Sequence, residues 1–182
     1  MSLKELGTFE MTSNTIFVSD PCYPIKTSVA DSGYTKDEDL SLILTPAKQG
    51  NWKATVYYSE DEVVTKLVAT HIEVNKDPDW IKIDKGIEVD SGQAGIFDSV
   101  IYGKDEIITY EVKNIFDIDM DEEGLKFYVA CCDLTGEDDQ AGVIVGGAVS
   151  VSGLGDGWYQ VYIQRDANDQ IVGVLIDFYD KE

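Results

Sequence analysis

The chain is poor in positive charge. Its 182 residues hold 14 Lys and Arg against 35 Asp and Glu, a formal net charge of −21. A surface this acidic repels phosphate backbones and anionic lipid, which excludes direct nucleic-acid binding and a charged membrane-surface role. Arg165 is the only arginine, so the forked guanidinium clamps that grip phosphates and carboxylates are missing, and nucleotide and phosphoryl-transfer roles lose their usual machinery. His71 is the only histidine, which excludes histidine-rich metal centres. Three cysteines, two of them adjacent at Cys131 and Cys132, cannot all pair within the chain. They also lack the Cys-x-x-Cys spacing of structural zinc, so reduced thiols and a cytoplasmic location are expected. No run approaches the ~18 apolar residues of a membrane helix. The N-terminus lacks the basic flank and apolar segment of a secretory signal, and no membrane partner is expected. With four prolines and no internal repeat, nothing marks a linker. The expectation is a single domain over residues 1–182, with a flexible terminus at 1–8 and a polar loop at 27–39.

What the chain does have, from end to end, is period-two alternation of β-branched and aromatic residues broken by short polar turns. Near the C-terminus Tyr159, Val161 and Ile163 alternate, Asp166-Ala167-Asn168-Asp169 supplies turn chemistry, and Val172, Val174 and Ile176 alternate again. This is a hairpin, and a four-residue loop sets Ile163 beside Val172, Val161 beside Val174 and Tyr159 beside Ile176. An earlier meander runs through Leu40–Thr45, Trp52–Tyr58 and Val63–Val74. Pairing Tyr58 with Val63 puts Trp52, Ala54 and Val56 on one face with Leu67, Ala69 and His71. Thr15–Ser19, Ile87–Asp90, Ile107–Lys113, Lys126–Cys131 and Gly142–Val151 read as further strands, and Phe97–Lys104 as a short helix. The fold expected is mainly β, a single-domain antiparallel sandwich or partly open barrel with at most one or two short helices.

Three segments are too particular for generic β structure: Ser19-Asp20-Pro21-Cys22-Tyr23, Val89-Asp90-Ser91-Gly92-Gln93-Ala94-Gly95-Ile96-Phe97-Asp98 and Ser152-Gly153-Leu154-Gly155-Asp156-Gly157-Trp158-Tyr159. In this order and spacing the chain, from about Thr15 to Phe178, resembles a mainly bacterial family catalogued as a domain of unknown function and marked by a Gly-Asp-Gly motif. The resemblance implies that the three loops belong to one shared scaffold. It carries no catalytic role.

Each segment also has a chemistry of its own. Alternate glycines around Asp156 permit positive φ and close approach to the backbone, and an ordinary tight turn is the competing account. Asp20, Asp90, Asp98 and Asp156 are hard oxygen ligands that suit Ca²⁺ or Mg²⁺ if the loops converge. Asp20, Tyr23, Asp90, Ser91, Gln93, Asp156, Trp158 and Tyr159 are the candidate ligand-binding residues. A thiol nucleophile at Cys22 would need His71 as its base. Yet His71 falls on an apolar face, where a structural imidazole is expected, and Cys22 reads as a small buried hydrophobe. The leading expectation is a non-catalytic cytoplasmic binding module whose Gly/Asp loops face a small ligand, a cation or a protein partner. The alternatives are a hydrolase using Cys22 with His71 or a carboxylate-bound divalent metal, and an acidic decoy that mimics nucleic acid.

Overall fold

The computed structural model describes residues 1–25, 40–74, 76–113 and 122–179. The chain is 46% strand and 9% helical, the mainly β composition that the alternation predicts. Its strands form two antiparallel sheets that do not close into a barrel. The first sheet runs in the order β1 (Ser2–Met11), β4 (Gly50–Tyr58), β5 (Val64–His71), β12 (Ile171–Asp177), β11 (Gly157–Arg165) and β6 (Ile81–Lys82), with β7 (Ile87–Val89) also paired to β11. The second runs β3 (Leu42–Leu44), β2 (Ile16–Ser19), β8 (Gln93–Asp98), β10 (Gly147–Val151) and β9 (Ala141–Ile144).

Alternation becomes packing between the sheets. Val56, Leu67, Ile176 and Val161 stand side by side across β4, β5, β12 and β11, and Ala54, Ala69, Val174 and Ile163 form the next row. These rows pack with Ile16, Val18, Ala94, Ile96 and Ala148 of the second sheet in one buried core. At roughly 1.5–3 kcal/mol for each fully buried large aliphatic side chain, this layer dominates the stability. The second sheet is covered on its other face too, which is why β8 is buried at all six positions. There Phe17, Phe97, Tyr102 and Phe127 make edge-on or tilted ring contacts at 4.6–5.7 Å. Helix α1 (Leu125–Thr135) supplies Phe127 and closes that face. The result is a sandwich with a helix laid on its outer side.

Several expectations need correction. Lys126–Cys131 is helix, not strand. Phe97–Lys104 holds the end of β8 and a turn in place of a helix, and Ile107–Lys113 starts on the last residue of a 3₁₀ turn, Asp105–Ile107, and forms no strand. The terminus read as flexible forms β1, paired along β4 from Ser2 to Met11. Both hairpin registers are shifted by two residues. Val161 pairs with Ile176 and Ile163 with Val174: Arg165 stands opposite Ile171, one residue past the partner a four-residue loop gives it, and the extra residue Val172 bulges from β12 and adds the second residue of the shift. Val56 likewise pairs with Leu67, with an irregularity between Tyr57 and Tyr58. The turn at Asp166–Asp169 forms as read, with Asp166 Oδ1 accepting from the N–H groups of Asn168 and Gln170. The loop expected at 27–39 lies outside the described residues. Among those described, no helix is long and apolar enough to cross a membrane.

Candidate functional site

β2 ends at Ser19, and the chain turns at once through Asp20-Pro21-Cys22-Tyr23, closed by a bond from Tyr23 N–H to Asp20 O. The aromatic layer holds this turn from below, since the Tyr102 hydroxyl donates to Tyr23 O at 2.6 Å. The Asp20 side chain folds inward and is fully buried. Its Oδ1 accepts from Cys22 N–H at 2.8 Å and the Ser91 hydroxyl at 2.6 Å, and its Oδ2 from Asp90 N–H at 2.9 Å and Ser91 N–H at 2.6 Å. Four donors satisfy a carboxylate that burial alone would penalise heavily. The β2 turn is thereby fastened to the β7–β8 turn. The Tyr23 hydroxyl adds a second link by donating to Asp90 Oδ2.

The third loop joins through Gly92, whose N–H donates to Asp156 Oδ1 at 3.0 Å and whose carbonyl accepts from Ser152 N–H at 2.9 Å. Glycine is required at Gly153, where φ is +62° and a Cβ would stand 2.0 Å from Val64 O. The loops Asp20–Tyr23, Asp90–Gly92 and Ser152–Asp156 therefore meet in one place.

Not every candidate residue faces outward there. Tyr159 is buried, its ring against Phe178 and its hydroxyl donating to Gly155 O at 2.6 Å. Gln93 is buried as well, bonded to Cys132 Sγ at 3.2 Å and to the Thr135 hydroxyl at 3.3 Å. Both brace the loops from within. Asp90, Asp156 and Trp158 are exposed, Trp158 by 55%. Tyr23 and Ser91 are half-buried.

Asp98 belongs elsewhere. It ends β8 five residues beyond Gln93, roughly 17 Å along the strand. Its fully buried carboxylate accepts from the N–H and hydroxyl groups of Thr12 and Ser13 and from Val100 N–H. Burial alone would raise its pKa, and the Ser13 and Thr12 bonds outweigh burial and lower it. The expected metal set of Asp20, Asp90, Asp98 and Asp156 thus does not assemble. Asp20 is saturated by N–H and O–H donors, Asp98 is remote, and among the described residues no group of three or more His, Cys, Asp or Glu side chains is placed to hold a metal ion. The residues do not fit Ca²⁺ or Mg²⁺.

Cys22 and His71 do not form the pair a thiol hydrolase needs. His71 ends β5 in the first sheet, 6.0 Å from the Trp52 ring, with Nδ1 accepting from Glu73 N–H and Nε2 facing Gln49 O at 2.8 Å. Both ring nitrogens are engaged by backbone. Cys22 is exposed as a residue, contrary to the buried hydrophobe expected. Desolvation of its thiol, with Asp20 and Asp90 beside it, pushes the pKa up to about 12. It is a thiol at neutral pH and a poor nucleophile.

Helix α1 brings a residue that the strand reading concealed. Tyr128 stands beside Cys132 and Ser91, and burial, reinforced by Cys132, pushes its hydroxyl up to about 12. A helical period at Phe127, Ala130, Cys131 and Leu134 was the available signal.

No family model, no curated protein and no solved structure matches the chain.

Proposed function

We propose that the protein is a non-catalytic cytoplasmic binding module, and that the surface where the three loops meet is its binding face. The observation that carries this reading is the exposed indole of Trp158, two residues from a carboxylate, Asp156, that the Gly92 N–H holds in place. Leu154, 43% exposed, extends the apolar area. Beneath them the Asp20 hydrogen bonds and the Gly92–Ser152 bond fix the loops before any ligand arrives, and a preorganised face loses little ordering entropy on binding. The high thiol pKa of Cys22 and the engagement of both His71 nitrogens favour recognition over catalysis.

The test is a thermal-shift panel of metabolites, divalent cations and peptides on the wild type and on Trp158→Ala. A ligand at 100 times its Kd adds about 2.7 kcal/mol to stability. The expected result is a stabilising compound whose effect disappears in Trp158→Ala. Stabilisation that Trp158→Ala leaves intact, or turnover that depends on Cys22, contradicts the reading.

A further inference from the structure

We infer that the three-loop surface takes a basic polypeptide segment, a stretch of a partner protein that presents lysine or arginine beside an apolar side chain. The inference rests on the reading of that surface as a binding face.

Trp158 stands directly across from Glu88 in the β7–β11 ladder. Their flanking residues Tyr159, Ile87 and Val89 point into the core, so Trp158 and Glu88 share the outer face as cross-strand neighbours, roughly 5 Å apart at Cβ. One step past the Gly157–Val89 pair, Asp156 and Asp90 leave the ends of the two strands, and the bond from Gly92 N–H to Asp156 keeps those ends together. Trp158 and Glu88 lie on the strands themselves, and Asp156, Asp90 and Leu154, all exposed, lie on the loops that adjoin their ends.

Three carboxylates therefore rim an exposed indole, and among the described residues no lysine or arginine is ion-paired to any of them. Carboxylates gathered at adjoining strand ends repel one another. The Tyr23 hydroxyl and the Gly92 N–H relieve Asp90 and Asp156 in part, but neither brings positive charge. An ammonium or guanidinium from a partner does, and it can rest on the indole face while it pairs with the carboxylates. The net charge of −21 draws a basic chain in from beyond contact range and repels an acidic one. A bare cation would leave Leu154 and much of Trp158 unused, whereas a polypeptide covers them with the apolar side chain next to its charge.

The experiment measures binding of a synthetic peptide of alternating arginine and leucine at an ionic strength of about 0.15 M, where the Debye length is about 8 Å. A glutamate–leucine peptide of equal length is the control. Trp158→Ala and the pair Asp90→Asn with Asp156→Asn are each expected to weaken binding about tenfold or more. The pair Glu60→Gln with Asp61→Asn, which removes the same charge from the β4–β5 turn, is expected to weaken it less than about threefold. Asn at 156 keeps an acceptor for Gly92 N–H, and unchanged circular dichroism checks the fold of every variant. Equal weakening by the two charge pairs, or binding of the glutamate peptide, overturns the inference. If the arginine peptide does not bind while a compound from the thermal panel binds and depends on Trp158, the basic partner is wrong and the binding face stands. If nothing binds in a Trp158-dependent way, both fail.

Discussion

Ser91 grips the Asp20 carboxylate with both its hydroxyl and its backbone N–H, each at 2.6 Å. The two residues lie on different loops, so this one contact turns two turns into a single rigid corner. Everything exposed at the candidate site stands on it.

Asp20→Ala should therefore leave four donors without their acceptor and loosen the corner. With hydrogen bonds to a charged group contributing about 1.5–3 kcal/mol each and not adding fully, a loss of about 2–4 kcal/mol is expected. Urea unfolding of the variant against the wild type measures it.

A second prediction concerns α1. The helix starts after Gly124, and its N-terminal N–H groups are satisfied from far along the chain. Asp105 Oδ1 accepts from Phe127 N–H at 2.9 Å, and Oδ2 from Gly124 N–H at 3.1 Å. Asp105→Ala removes both the cap and a negative charge at the positive end of the helix, and should lower stability by about 1–2 kcal/mol. Asp105→Asn should retain part of that stability.

The same cap explains what could be read in the sequence and what could not. Strand existence was legible because one buried face leaves alternation in the residues themselves, as at Trp52, Ala54 and Val56. Register was not, because the turn sets Arg165 opposite Ile171 and the Val172 bulge inserts one more backbone residue, neither of which breaks the apolar pattern. α1 was hidden because Phe127, Val129 and Cys131 also alternate, and because its capping carboxylate lies twenty residues upstream. The meeting of the three loops was legible in their Asp and Gly content. The outlying place of Asp98 was not, since its partners Thr12 and Ser13 precede it by more than eighty residues.

Asp98 makes a prediction in pH. Its folded-state pKa lies below the ordinary carboxylate value. Its contribution to stability is thus complete above the unfolded value of about 3.9 and is lost as pH falls through the lower folded value. Wild type and Asp98→Asn should differ in unfolding free energy at neutral pH and converge in acid. A gap that persists unchanged at low pH argues against this.

Cys22 is exposed but pushed up to about 12 by burial of the thiol and by Asp20 and Asp90. Its alkylation at neutral pH should be slow and should accelerate as pH rises. Asp90→Asn removes one of the neighbouring charges and should speed the reaction at a given pH, as the rate of iodoacetamide labelling followed by mass spectrometry will show.

The most direct measurement of the central claim is an amide and indole NMR titration of the ¹⁵N-labelled protein with the arginine–leucine peptide. The account predicts shifts concentrated at the Trp158 indole, Gly92, Leu154 and Asp156, with the first-sheet positions around His71 unmoved. Shifts spread evenly over the acidic surface, or gathered away from Trp158, would contradict it.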